Sequence, residues 1–149
     1  MLEYVMKPIG IIHTPFHDTS NMPIQSARSE EQGKVEVFPE YIAGLEGIAD
    51  FSHIYLLYAF HLANPDFNLR VQPFLDDQVH GLFATRYPVR PNPIGLSIVR
   101  ITAVQGNVIF FNGADMLDGT PLLDIKPYIP EFDIFAVEKT GWYQQRKHP

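Results

Sequence analysis

The sequence predicts a mainly β fold, a small closed or near-closed antiparallel β-barrel with short helical turns, in one domain over residues 1–149. Three observations predict it. Thirteen prolines and ten glycines in 149 residues interrupt the chain every few positions, which disfavours long helices. Between these breaks lie many short runs of apolar, β-branched and aromatic residues, the size and composition of strands. Apolar residues at 46% and charged residues at 19% give the balance of a globular domain with a core, at a length that suits one domain rather than two. Closure is favoured because it leaves so small a sheet without exposed edges.

The elements follow in order. In 33–38, Lys34 and Glu36 alternate with Val35 and Val37, the period-2 pattern of a half-buried strand. Pro39 suits the start of a short helical turn through Leu45 and Gly47 its stop, and this is the chain's only helical candidate. Residues 52–61 form a β-branched and aromatic run that reads as a buried strand. Residues 69–74 and 81–86 are shorter strand candidates. Residues 95–104 and 108–114 flank Gln105-Gly106-Asn107 and predict a hairpin. Asp118-Gly119-Thr120-Pro121 is a turn, followed by a brief strand over 122–125. No repeat, linker or low-complexity tract interrupts the series.

Charge and composition narrow the function. There is no cysteine, so disulfides, thiolate metal sites and a cysteine nucleophile are excluded. The longest apolar stretch, 54–60, is too short to span a bilayer, and Glu3, Lys7 and Pro8 do not fit a signal peptide. A cytoplasmic protein without membrane contact is expected. The net charge of -6 runs against extensive phosphate binding, which favours basic surfaces. An RNA partner would have to be held by a small local patch or with help from another subunit.

The segment Arg86-Tyr87-Pro88-Val89-Arg90-Pro91-Asn92-Pro93-Ile94-Gly95 carries most of the chemistry. Its three prolines fix their own φ and push Tyr87, Arg90 and Asn92 towards extended backbone, so the loop is stiff before any ligand arrives. Arg86 and Arg90 either present planar donors to a carboxylate or phosphate, or pair with acids and brace the barrel. A second cluster, Gly113-Ala114-Asp115-Met116-Leu117-Asp118-Gly119-Thr120-Pro121 ending in Leu123-Asp124-Ile125-Lys126-Pro127-Tyr128, brings three carboxylates to a turn-rich stretch. These either meet ligand hydroxyls or a cation, or make Asx-type bonds to backbone. His13 and His17 have the spacing of a helical metal pair, but Pro15 between them disfavours helix, and no metal is expected. Phosphate-binding, dinucleotide-binding and nucleophile-elbow motifs are all missing. Read residue by residue, this is a small β protein with a stiff arginine-bearing loop and an acidic turn, and no cofactor follows from that alone.

Larger blocks carry a resemblance. Gly81-Leu82-Phe83-Ala84-Thr85-Arg86 followed by Arg90-Pro91-Asn92-Pro93-Ile94-Gly95-Leu96-Ser97 resembles the signature of the TsaA-like (TrmO) family. Asp118-Gly119-Thr120-Pro121 with Asp124-Ile125-Lys126-Pro127-Tyr128 resembles its second block. Phe51-Ser52-His53 through Phe60-His61 resembles a third, and Ile9-Gly10 through Pro15 its opening strand. The resemblance implies a β-barrel, a homodimer and S-adenosyl-L-methionine as cofactor. It also implies methylation of N6 of threonylcarbamoyladenosine beside the tRNA anticodon. Carried onto matching positions, it implies cofactor contacts from Pro23, Ile24, Gln25, Phe60, His61, Arg86, Leu96, Gly113, Ala114, Asp115 and Met116. Ile24 stands where many relatives have arginine, and the chain ends soon after the barrel, without the extra C-terminal segment of longer bacterial members.

The chemistry of such a ligand assigns roles. Arg86 suits its carboxylate, Asp115 its ribose or ammonium, and Phe60, Leu96 and Met116 its apolar surfaces. Asp118 and His61 are candidates to take the N6 proton, while Arg90, Asn92 and Lys126 are candidates to bind the substrate. Two other readings stay open. One keeps the cofactor with a small metabolite or another RNA as acceptor, and the other is a non-catalytic module that binds an adenine-containing ligand.

Overall fold

A computed structural model describes residues 2–18 and 29–145. Eight strands form among them: β1 (Gly10–His13), β2 (Gln32–Val37), β3 (His53–Ala59), β4 (Arg70–Val71), β5 (His80–Gly81), β6 (Ile94–Gln105), β7 (Val108–Asn112) and β8 (Thr120–Pro127). Six of them close a barrel in the order β1-β2-β7-β6-β3-β8, and every neighbouring pair is antiparallel. Two compact units result. The first, Met1–His61 with Ile94–Tyr128, contains the barrel, and the second is Leu62–Pro93 with Ile129–Pro149.

The barrel follows from alternation. In β2 the inward Gly33, Val35 and Val37 are buried while Gln32, Lys34 and Glu36 are exposed. In β3, Ile54, Leu56 and Tyr58 turn inward. The strand predicted at 52–61 as buried is therefore buried on one face only, because both of its edges pair within a single-layered barrel. Inward residues from each strand fill the interior: Ile12, Val35, Val37, Ile54, Leu56, Tyr58, Val99, Ile109, Phe111 and Leu122, joined by Ala114 and Met116. Burying each large side chain contributes about 1.5–3 kcal/mol. A six-stranded barrel is too narrow for a lumen, so side chains pack its centre.

Two inward glycines make that packing possible. Gly33 lies opposite Phe111, and Gly95 opposite Tyr58, in the strand register. A Cβ on Gly33 would stand 2.6 Å from Phe111 Cζ, and one on Gly95 only 2.2 Å from Tyr58 Cε2. In both pairs an aromatic ring occupies the place of the missing side chain. Register shifts near Leu57–Tyr58 against β8 and between Ile101 and Ala103 against β7 bend the strands, as bulges do in closed sheets.

The β6–β7 hairpin forms as expected, with Gln105 opposite Val108 across Gly106 and Asn107. Pro39–Leu45 winds as a 3-10 helix. It is not the only helical segment: further 3-10 turns lie at Ile48–Asp50, Leu82–Ala84 and Gly141–Gln145, with one α-helical turn at Pro130–Asp133.

In the second unit, two strand expectations need correction. Residues 69–74 reduce to Arg70–Val71, because Pro73 has no N–H to continue a ladder. Residues 81–86 are not a strand beyond Gly81. Leu82–Ala84 turns as a 3-10 helix, and Thr85 Oγ1 donates back to the Leu82 carbonyl at 2.7 Å, a local bond that competes with sheet pairing. Trp142 Nε1 donates to the Ala84 carbonyl at 2.7 Å, which ties the C-terminal segment to this turn. The Trp142 ring stacks on His80, centroids 5.2 Å apart, and His80 Nε2 bonds Asp76 Oδ2. That bond holds the Asp76 carboxyl below its ordinary value.

Candidate functional site

Several of the expected residues converge in the barrel unit. The 113–116 segment leaves β7 and is pinned by its backbone. Gly113 and Ala114 both donate to the Glu31 carbonyl at 3.0 Å, Ser29 Oγ donates to the Ala114 carbonyl at 2.6 Å, and Thr14 Oγ1 donates to the Met116 carbonyl at 2.8 Å. Ala114 and Met116 are buried in the core, so their side chains fill the barrel. Asp115, between them, stays half-buried.

Asp115 is held from inside the barrel. Ser97 Oγ donates to Asp115 Oδ1 at 2.7 Å, and the Tyr58 hydroxyl lies 2.8 Å from Ser97 Oγ. Ser97 and Tyr58 are each 3% exposed. Burial, and then the negative charge of Asp115, push the Tyr58 phenol well above its ordinary value, although its bond with Ser97 opposes this. Phe60 meets the Tyr58 ring edge-on, with centroids 5.6 Å apart. Phe60 and Asp115 are thus linked through Tyr58 and Ser97. Leu96, next to Ser97, turns outward and is 50% exposed, and His61 is exposed after the end of β3.

Neither Tyr58 nor Ser97 stands among the residues expected from sequence. The signal was available, because period-2 alternation puts Ser97 on the same inward face as Gly95 and Val99. A hydroxyl there needs a buried partner. One more polar group borders the segment: Asn112 Oδ1 is buried without a hydrogen-bond partner among the described residues.

Asp118 sits on the following turn. Its Oδ1 accepts from the Thr14 N–H at 3.0 Å, a long-range bond to the chain just after β1 rather than a local Asx-type one. His13 Nδ1 lies 3.7 Å from its Oδ1 and His17 Nδ1 3.8 Å from its Oδ2, while His13 Nε2 is 3.4 Å from Glu36 Oε1. The two histidines therefore meet one carboxylate without a helix. No group of three or more metal-binding side chains is placed to hold an ion among the described residues. Lys126 lies on β8 with Nζ 3.3 Å from Asp124 Oδ2, and is largely exposed. Pro23, Ile24 and Gln25 lie outside the described residues.

Arg86, Arg90 and Asn92 belong to the second unit. Arg90 braces its own loop: Nη1 donates to the carbonyls of Thr85 and Tyr87, each at 3.0 Å, with the guanidinium 5.9 Å from the Phe83 ring centre. The partners are backbone carbonyls rather than the acids that a bracing role suggested.

A separate cavity of about 550 Å³ in the barrel unit is lined by Ile9, Tyr41, Leu45, Ile48, Phe51 and Ile125, and by the carboxylates of Glu40, Glu46 and Asp124. It contains none of the expected site residues, and three carboxylates make it a poor host for an anionic ligand. No helix is long and apolar enough to cross a membrane among the described residues.

The chain is similar to proteins of known family. The model of the tRNA-methyltransferase O N-terminal domain matches residues 11–134. A probable S-adenosyl-L-methionine-binding protein of Pyrococcus abyssi is 51% identical over 143 residues, covering 95% of this chain and 77% of the relative. A tRNA (adenine(37)-N6)-methyltransferase of Mus musculus is 36% identical over 134 residues, covering 85% of this chain and 31% of that protein. The crystal structure of TrmO from Pseudomonas aeruginosa superposes with a TM-score of 0.79 at 36% identity, covering 94% of this chain and 62% of that one. The chain thus spans less than two thirds of the solved structure and about a third of the mouse enzyme. With the fold, the order of its motifs and this match in agreement, the chain belongs to the family of the tRNA-methyltransferase O N-terminal domain.

Proposed function

We propose that this protein is an S-adenosyl-L-methionine-dependent methyltransferase that acts on N6 of threonylcarbamoyladenosine beside the tRNA anticodon. The observation that carries the reading is the family match over residues 11–134, together with relatives named for binding this cofactor. The barrel unit supports it chemically. Asp115 offers a fixed carboxylate to hydroxyl or ammonium donors. Phe60, linked to it through Tyr58 and Ser97, offers apolar surface to an adenine face, while Leu96 on the outward face of β6 is assigned to another apolar part of the ligand. Asn112 Oδ1, buried without a hydrogen-bond partner among the described residues, adjoins the same segment. These residues fit an adenosine-bearing ligand.

When bound, the cofactor supplies a methyl group on a sulfonium, a leaving group that needs neither metal nor nucleophile from the protein. The chain's part is positioning, which lowers barriers by several kcal/mol when reacting atoms are pre-aligned. Proton removal from N6 is assigned to Asp118 or His61, and a general base of this kind contributes about two to four orders of magnitude. Arg86 is assigned to the cofactor's carboxylate, and Arg90, Asn92 and Lys126 to the substrate. The proposed unit of function is a homodimer. Large apolar side chains left exposed, among them Phe74, Phe83 and Phe135 at 72–75%, support an assembly.

The decisive experiment incubates the protein with methyl-labelled S-adenosyl-L-methionine and tRNA, with and without the threonylcarbamoyl group. Label is expected only on the modified tRNA. Equal label on both would overturn the substrate, and no label with a measurable heat of cofactor binding would favour another acceptor. The net charge of -6 gives that second reading, a small metabolite or other RNA as acceptor, its own support. Arg86→Ala is expected to weaken cofactor binding, and unchanged affinity would remove its assigned role.

A further inference from the structure

We infer that Tyr58 and Ser97 are positioning residues that fix Asp115 for the nucleoside half of the methyl donor, through a two-hydroxyl relay running out from the barrel interior. This rests on the cofactor reading above and adds to it the residues that make Asp115 a defined acceptor.

The direction of the relay follows from counting protons. Ser97 has one hydroxyl proton, and it is spent on Asp115 Oδ1 at 2.7 Å. Its oxygen therefore accepts at 2.8 Å, so the Tyr58 hydroxyl is the donor there. Tyr58 remains protonated through the ordinary pH range, since burial and the nearby Asp115 charge both disfavour the phenolate. Two donors in series thus point at one carboxylate oxygen. A carboxylate held by such a bond loses rotational freedom before a ligand arrives, and bonds in a chain reinforce one another.

Strand register explains how the relay is built. Ser97 lies opposite Leu56, and Tyr58 opposite Gly95. For its oxygen to reach Ser97, the Tyr58 ring must cross Gly95, and the absence of a side chain there provides the path. The same ring meets Phe60 edge-on. One side chain therefore sets both an aromatic wall and, through Ser97, a carboxylate. An aromatic face beside a hydroxyl acceptor matches adenine and ribose rather than the amino-acid tail, which is why the nucleoside half is assigned.

The inference is tested by calorimetry of the whole chain with S-adenosyl-L-methionine and with 5′-methylthioadenosine, which keeps the nucleoside and lacks the amino-acid tail. Ser97→Ala is expected to weaken both ligands by roughly tenfold, the worth of one hydrogen bond to a charged group. Ser97→Thr keeps the hydroxyl and should restore most of the affinity. Tyr58→Phe keeps the ring over Gly95 and should give a smaller loss. In an Asp115→Asn background the Ser97→Ala loss should largely vanish, a coupling that a merely structural hydroxyl would not show. Wild-type affinity in both single variants overturns the inference. So does a Ser97→Ala loss that adds in full to that of Asp115→Asn, or one confined to the ligand with the tail. A wild-type protein that binds neither ligand removes the cofactor reading and this inference with it. A wild type that binds both, with variants unchanged, removes this inference alone.

Discussion

Gly95 and Tyr58 occupy a single volume between them, and that makes the position intolerant of any side chain. A methyl group at Gly95 would meet ring carbons at 2.2 and 2.5 Å, far inside van der Waals contact, and the ring is hemmed in by Ser97 and Phe60. Gly95→Ala is expected to destabilise the protein by about 1–3 kcal/mol, the usual cost of overpacking, and a thermal melt indistinguishable from wild type would contradict it. The phenol adds a pH signature. Its folded value is raised above the ordinary 10.0, so the folded chain holds a proton that the unfolded chain releases. The stability this contributes is complete below pH 10 and is lost as pH climbs above it. Denaturant midpoints measured from pH 9 upwards should fall less steeply in Tyr58→Phe than in wild type, and parallel curves would show that Tyr58 plays no part. Sequence reading reached one end of this arrangement. The family resemblance points to Asp115 and Phe60 but not to Ser97 and Tyr58, because hydroxyls inside apolar strands resemble neutral filler until their partner is seen.

At the scale of elements, the strands that alternate were legible and the segments that local chemistry bends were not. Val35 and Val37 between Lys34 and Glu36 defined β2, and the glycine-centred turn defined the β6–β7 hairpin, because these patterns reflect burial on one face. Residues 81–86 misled, since β-prone residues there turn into a 3-10 helix closed by the Thr85 hydroxyl. The C-terminal segment gave no signal. Its order in the second unit comes from Trp142, which bonds the Ala84 carbonyl and stacks on His80, which in turn holds Asp76. Trp142 is the chain's one tryptophan, so its emission reports this latch without ambiguity. Asp76→Ala should release His80 and shift the emission towards that of a solvent-exposed indole, and an unchanged spectrum would mean that the stack does not depend on the carboxylate. Because the His80 bond lowers the Asp76 carboxyl, the latch should hold above the ordinary 3.8 and loosen as acid takes the pH below it.

Considered whole, the molecule is acidic, and this bears on the proposed tRNA substrate. Seventeen acidic against eleven basic residues leave few cations for phosphates. Each phosphate neutralised adds about 0.9 to the slope of log affinity against log salt on duplex DNA, and less on single strands. A shallow slope, no steeper than roughly -4, is therefore expected for tRNA from filter-binding titrations between low and moderate salt. A much steeper one would reveal a cationic face formed only on assembly. The fold class was readable from composition and pattern, since proline and glycine spacing rules out long helices and leaves short strands. The strand order β1-β2-β7-β6-β3-β8 was not, because it depends on pairings between residues distant in the chain.

That order has a consequence for assembly. Each barrel strand already spends its backbone donors and acceptors on two neighbours, so the ring offers no seam at which a foreign chain can be stitched on as another strand. Any partner that docks against the barrel wall, a second copy or a nucleic acid, must be recognised through side chains. Specificity on that surface can therefore be retuned one residue at a time without unpicking the scaffold beneath.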